Sequence, residues 1–131
     1  MKKVIDAHAL MVYLEREPGF EKVSELFSQA AEKGVDLLMS AVNFGEVYYI
    51  VLRECGRLKA EEIVRTIEAF PIDILAADKE LAQVAGNFKA SKKMSYADCF
   101  AAALAKVNKA ELITGDEEFR EVEKEISVRW L

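Results

Sequence analysis

Five short aliphatic runs, each followed by a stretch of helical spacing, constrain this chain more than any other feature. The runs are Lys3–Ile5, Leu37–Met39, Ile72–Leu75, Glu111–Thr114 and Ile126–Trp130. Between them, Ala7–Glu15 is rich in Ala, Leu and Met and closes at Pro18-Gly19. Phe20–Lys33 sets Phe20, Val23, Phe27, Ala30 and Ala31 at helical spacing and stops at Gly34. Ser40 caps a helix carrying Phe44, Val47, Tyr48, Val51 and Leu52, and Ala60–Phe70 is ended by Pro71. Asp78–Ala90 and Tyr96–Val107 read as two further helices. Short strands with no polar face, alternating with helices, predict an α/β domain whose parallel sheet is covered on both sides. With 131 residues, 52% hydrophobic and 31% charged, the chain is expected to form one domain over 1–131, and disordered or low-complexity classes are excluded. In such sheets ligands bind beyond the carboxyl ends of the strands, where the strand order reverses. Asp6 ends the first strand there, and Asp116 lies just past the fourth.

Four acids stand in places that an ordinary surface carboxylate does not occupy. Asp6 sits between Val4-Ile5 and Ala7, half buried in a fold of this class, where an unpaired charge is costly. It also has the position of a cap for Ala7–Glu15. Glu46 shares its helix face with Val42, Asn43, Tyr49 and Ile50. Asp98 begins a stripe of Ala101, Ala102 and Ala105, yet Ser95-Tyr96-Ala97-Asp98 also has capping-box spacing. Asp116, behind Thr114-Gly115, is open to the same structural reading. Taken together, acids from separate element ends converge on one crevice, where they repel unless a cation sits among them. An all-oxygen set suits a hard ion, Mg²⁺ or Mn²⁺. Such ions act on phosphates.

The charge pattern agrees with an anionic substrate. Net charge is −5, which argues against a chain that grips nucleic acid over its whole surface. Locally, Asn87–Lys109 carries five lysines against Asp98, while Ala110–Glu125 carries seven acids against Arg120 and Lys124. Lys89, Lys92 and Lys93, just before Asp98, are candidates for tracking an RNA backbone; two solvated helix faces would give the same pattern. With one histidine, His8, and two cysteines, Cys55 and Cys99, the chain has no His/Cys zinc site, and both thiols are expected free in a reducing cytoplasm. The N-terminal segment meets an acid too early for a secretory leader, and no apolar run is long enough to span a bilayer.

Four blocks carry a resemblance: V-I-D-A-H-A-L at Val4–Leu10, S-A-V-N-F-G-E-V at Ser40–Val47, S-Y-A-D-C-F-A-A-A-L-A at Ser95–Ala105, and L-I-T-G-D-E-E-F at Leu112–Phe119. In this order the chain resembles the PIN-domain family of metal-dependent ribonucleases, and in size its VapC-like members, the toxins of toxin–antitoxin pairs. The resemblance implies a three-layer α/β/α fold with strand order 3-2-1-4-5. It implies a catalytic and metal-binding quartet of Asp6, Glu46, Asp98 and Asp116 holding Mg²⁺ or Mn²⁺, with Thr114, Ser40 and Asn43 in support; the longer Glu118 either reaches the metal or falls short of it. It further implies an RNA substrate, a cognate antitoxin protein and a homodimer, for which Phe20–Lys33 and Val42–Arg53 offer candidate surfaces.

Two positions depart from the family pattern. His8 stands where Asn or Ser is usual, and either adds a donor to the site or points away from it. Asp116-x-Glu118 replaces a D-x-D pair. A haloacid-dehalogenase-type phosphatase would need D-x-D in the first block, where the chain has Asp6-Ala7-His8. A stand-alone RNA-processing nuclease and a non-catalytic PIN-like scaffold remain beside the toxin reading. Trp130, the one tryptophan, packs on the sheet or joins a subunit interface, and packing is the expectation.

Overall fold

The computed structural model describes residues 1–131. Strands β1 (Lys3–Ile5), β2 (Leu37–Ser40), β3 (Ile72–Leu75), β4 (Glu111–Thr114) and β5 (Ser127–Trp130) form one parallel sheet in the order β3-β2-β1-β4-β5. The expected strand order is therefore observed, and β1 lies at its centre between β2 and β4. Helices α1 (Ala7–Leu14), α2 (Phe20–Lys33), α3 (Ala41–Cys55), α4 (Arg57–Glu68), α5 (Lys79–Ser91) and α6 (Tyr96–Asn108) surround it. A two-residue side-chain period divides the strands between the layers. Val4 and Leu112 face one core with α5 and α6, while Ile5 and Ile113 face the other with α1 to α4. Neither face of the central strands is wet there, so Val4-Ile5 and Leu112-Ile113 read as apolar runs, whereas the edge strands β3 and β5 keep Asp73, Ser127 and Arg129 exposed.

Two differences from the sequence reading have simple causes. Helix α4 begins at Arg57 rather than Ala60, directly behind Gly56, whose φ of 87° makes the sharp junction with α3. Residues 57–59 are exposed and carry no apolar period, so the spacing begins only at Ala60. A 3-10 helix over Glu117–Val122 links β4 to β5 where no element was expected. It buries Phe119 and Val122 completely, at the three-residue spacing of that helix type. Cys55 and Cys99 are both free thiols. Trp130 packs half-buried on the sheet, as expected; its Nε1 donates to Glu123 Oε2 at 2.9 Å, and the Arg120 guanidinium stacks 4.1 Å from its ring. No helix is long and apolar enough to cross a membrane.

Candidate metal centre

The register of the central strands builds the site. Ile5 pairs with Ile113, so the next residues, Asp6 and Thr114, emerge side by side at the carboxyl end of the sheet. Asp6 is 1% exposed and uses both carboxylate oxygens. Oδ1 accepts from Ala9 N at 2.8 Å, the α1 cap, and Oδ2 accepts from Thr114 Oγ1 at 2.5 Å. Asp6 is thus the cap of α1, and its second oxygen is held by Thr114 at the carboxyl edge of the sheet. Thr114 Oγ1 in turn accepts from Asp116 N at 3.0 Å, so one buried hydroxyl fixes two acids of the quartet. Asp116 caps the 3-10 helix, its Oδ1 accepting from Glu118 N at 2.9 Å.

At α6 the capping box is only half made. Ser95 Oγ accepts from Asp98 N at 3.1 Å, but the reciprocal bond, from Ser95 N, goes to Glu118 Oε1 at 2.7 Å. Glu118 therefore takes the place that Asp98 would occupy in a closed box. The Asp98 carboxylate is left for the crevice, and the 3-10 helix is tied to the start of α6. Carboxylate oxygens of Asp98, Asp116 and Glu118 all lie within 4.8 Å of one another. This triple draws in Glu118; Asp6 and Glu46 are not part of it, though the charge of Asp116 acts on both.

Ser40 caps α3 through Val42 N at 3.2 Å, which fixes the helix that presents Glu46. Asn43 donates from Nδ2 to Ala97 O at 3.1 Å and to Glu46 Oε1 at 3.4 Å, joining α3 to α6. Its Oδ1 is the one buried side-chain polar atom without a hydrogen-bond partner.

The electrostatics report crowded anions without a counter-charge. Burial, opposed by the Thr114 and Ala9 hydrogen bonds and reinforced by Asp116 and Glu46, raises the Asp6 carboxyl to about 7. Burial, a hydrogen bond shared with Glu118, and the charges of Asp116, Glu118 and Asp6 push Asp98 up to about 8. Glu46 is raised as well, by burial first, against the Asn43 bond. Three carboxyls whose ionisation is opposed at one place match a site that ionises fully only with a cation present. The donor set is oxygen throughout, which suits a hard divalent ion.

An open groove crosses the site, lined by Ala7, His8, Met11, Glu15, Glu46, Ile50, Glu54, Asp98 and Asp116. Glu15 and Glu54 were not singled out from the sequence. The signal was present: His8, Met11 and Glu15 follow at i, i+3 and i+7 on α1, and Glu46, Ile50 and Glu54 at four-residue steps on α3. The three candidate lysines divide. Lys89 Nζ donates to Met94 O at 2.7 Å and Lys92 pairs with Glu125 at 3.3 Å, so both brace the segment between α5 and α6. Lys93 is exposed, held through its backbone N, which donates to Glu121 Oε1 at 3.1 Å.

The PIN-domain model matches residues 3–125. A VapC ribonuclease from Mycobacterium bovis is 27% identical over 124 residues, covering 89% of this chain and 92% of that protein. The crystal structure of a DNA-bound VapBC complex from Salmonella typhimurium superposes with a TM-score of 0.80 at 16% identity, over 98% of this chain and 97% of that one. A VapBC complex from Rickettsia felis, bound to a promoter DNA fragment, gives 0.79 at 14% identity, over 100% and 99%. At these identities the structural likenesses establish the fold.

Proposed function

Because the chain belongs to the PIN-domain family, we propose that it is a divalent-metal-dependent endoribonuclease and the toxin of a VapBC-type pair, working in the cytoplasm. The observation that carries this reading is the oxygen-only cluster of Asp98, Asp116 and Glu118, beside Asp6 and Glu46, with its raised carboxyls. In this reading the whole of 1–131 is one PIN domain.

Asp6, Glu46, Asp98, Asp116 and Glu118 would hold Mg²⁺ or Mn²⁺. When bound, such an ion lowers the pKa of a water to make it a nucleophile and neutralises charge on the departing oxygen. The chain's residues do the rest. Thr114 keeps Asp6 and Asp116 at fixed separation through its two hydrogen bonds, and Asn43 holds Glu46 against α6. The Oδ1 of the same Asn43 amide is buried without a hydrogen-bond partner. Of the three lysines, Lys93 is the one whose ammonium is available to an RNA backbone.

The M. bovis relative is named a VapC ribonuclease and the structural neighbours are VapBC complexes, which supports an RNA substrate and an antitoxin partner here. For a homodimer, Tyr49 on α3, 50% exposed, favours the Val42–Arg53 surface over Phe20–Lys33, which exposes no large hydrophobic side chain. A stand-alone processing nuclease would share the same site and differ only in having no antitoxin. The test is cleavage of a mixed pool of single-stranded and hairpin RNAs in Mn²⁺, beside EDTA and Asp98→Asn. Cutting abolished by both supports the reading; equal cutting by the variant defeats it.

A further inference from the structure

The groove over the site presents an RNA strand with an unusual wall. Of its lining side chains five are carboxylates and Ala7, Met11 and Ile50 are apolar, so His8 is the one that carries a hydrogen-bond donor. Phosphate and ribose oxygens are chiefly acceptors, and carboxylates cannot donate to them when ionised.

The placement of His8 is specific. It is the second residue of α1, exposed, with no hydrogen bond or ion pair to the rest of the chain. Its ring lies over Gly115, immediately before Asp116. A Cβ added at Gly115 would stand 2.7 Å from His8 Cε1 and 3.2 Å from Nδ1. The Nδ1–Cε1 edge therefore faces the β4 turn, and glycine is what admits it. Nε2, bonded to Cε1 but farther from the turn than either of those atoms, is without a hydrogen-bond partner. Gly115 does not have a positive φ, so the space for the ring, not backbone conformation, is what its missing side chain supplies.

We propose that His8 is a substrate-contacting residue that donates from Nε2 to the phosphate–ribose backbone of the RNA next to the scissile bond. The role rests on the nuclease reading above and adds the one groove side chain that attracts, rather than repels, the strand. It does not depend on the ring's protonation state, because neutral imidazole also carries one N–H.

The experiment measures KM and kcat on the RNA pool in saturating Mn²⁺ for the wild type, His8→Ala, His8→Gln and Gly115→Ala, with Mn²⁺ affinity measured by calorimetry. His8→Ala is expected to raise KM roughly five- to tenfold, about one hydrogen bond, with kcat within about twofold and Mn²⁺ affinity unchanged. His8→Gln, which can place an amide N–H at similar reach, should recover most of that loss. Gly115→Ala, which displaces the ring, should reproduce the KM rise, and should add nothing in the His8→Ala background. Unchanged KM in His8→Ala beside an active wild type overturns the role of His8 and leaves the nuclease standing. A weakened Mn²⁺ affinity in His8→Ala also overturns it, by moving the effect to the metal. A wild type that cuts none of the pool overturns the nuclease reading, and His8 with it.

Discussion

Replacing Asp6 by asparagine should make the metal-free protein more stable at pH 8, although it removes a central acid of the site. The native carboxyl stands at about 7, against an ordinary 3.8. At about 1.4 kcal/mol per pH unit, that rise amounts to roughly 4 kcal/mol in favour of the neutral form. The folded value is the higher one, so between pH 4 and 7 the native state keeps a proton that the unfolded chain has released. The contribution is fully present at the acid end and is lost as pH rises through 7. Between pH 5 and 8, roughly 2–3 kcal/mol of it disappears. The substituted carboxamide cannot ionise, and its oxygen can still accept from Ala9 N, so this part of the pH slope should vanish. Urea unfolding in EDTA at pH 5 and pH 8 measures it. The wild type should lose about 2–3 kcal/mol more than Asp6→Asn over that range, and the variant should be the more stable at pH 8. Equal slopes would refute the claim that Asp6 is protonated by its burial.

The same raised carboxyls predict that metal binding expels protons. Because Asp6 and Asp98 stand at about 7 and about 8, Mn²⁺ affinity should rise with pH through 7–8, and calorimetry in buffers of different ionisation enthalpy should register proton release at pH 7. Affinity independent of pH would contradict this. Thr114→Val removes the donor to Asp6 and the acceptor for Asp116 N; it should cost about 1–3 kcal/mol in chemical unfolding and weaken Mn²⁺ binding. Glu118→Gln keeps an acceptor for Ser95 N but removes a charge from the triple. It should weaken Mn²⁺ in calorimetry with little change in melting temperature, whereas Glu118→Ala should lose both.

The architecture was legible because each of its determinants is local. Strands such as Val4-Ile5 and Leu112-Ile113 are apolar on both faces only in a sheet covered on both sides. That sheet's carboxyl edge is where Asp6 and Asp116 end. The 3-10 helix was missed because Phe119 and Val122 are surrounded by six acids and two basic residues between Asp116 and Glu125, so the sequence reads there as a solvated run. What the sequence could not settle were the choices between equivalent partners. Ser95 could cap with Asp98 or with a distant acid, and Glu118, 23 residues away, takes the bond. The lysines before Asp98 looked alike, but only the folded chain separates Lys89 and Lys92, committed to Met94 O and Glu125, from Lys93. His8 was ambiguous for the same reason. Its side is decided by the space over Gly115, on another strand's turn.

The central claim is that these acids direct water at an RNA phosphodiester, and the ends of the cut RNA test it most directly. With purified protein and Mn²⁺, mass spectrometry of the fragments should find linear monophosphate and free hydroxyl ends, formed by the wild type and absent with EDTA or with Asp98→Asn. Fragments ending in 2′,3′-cyclic phosphate, or produced equally by Asp98→Asn, would mean that the ribose hydroxyl rather than water attacks, or that another nuclease does the cutting, and would contradict the account.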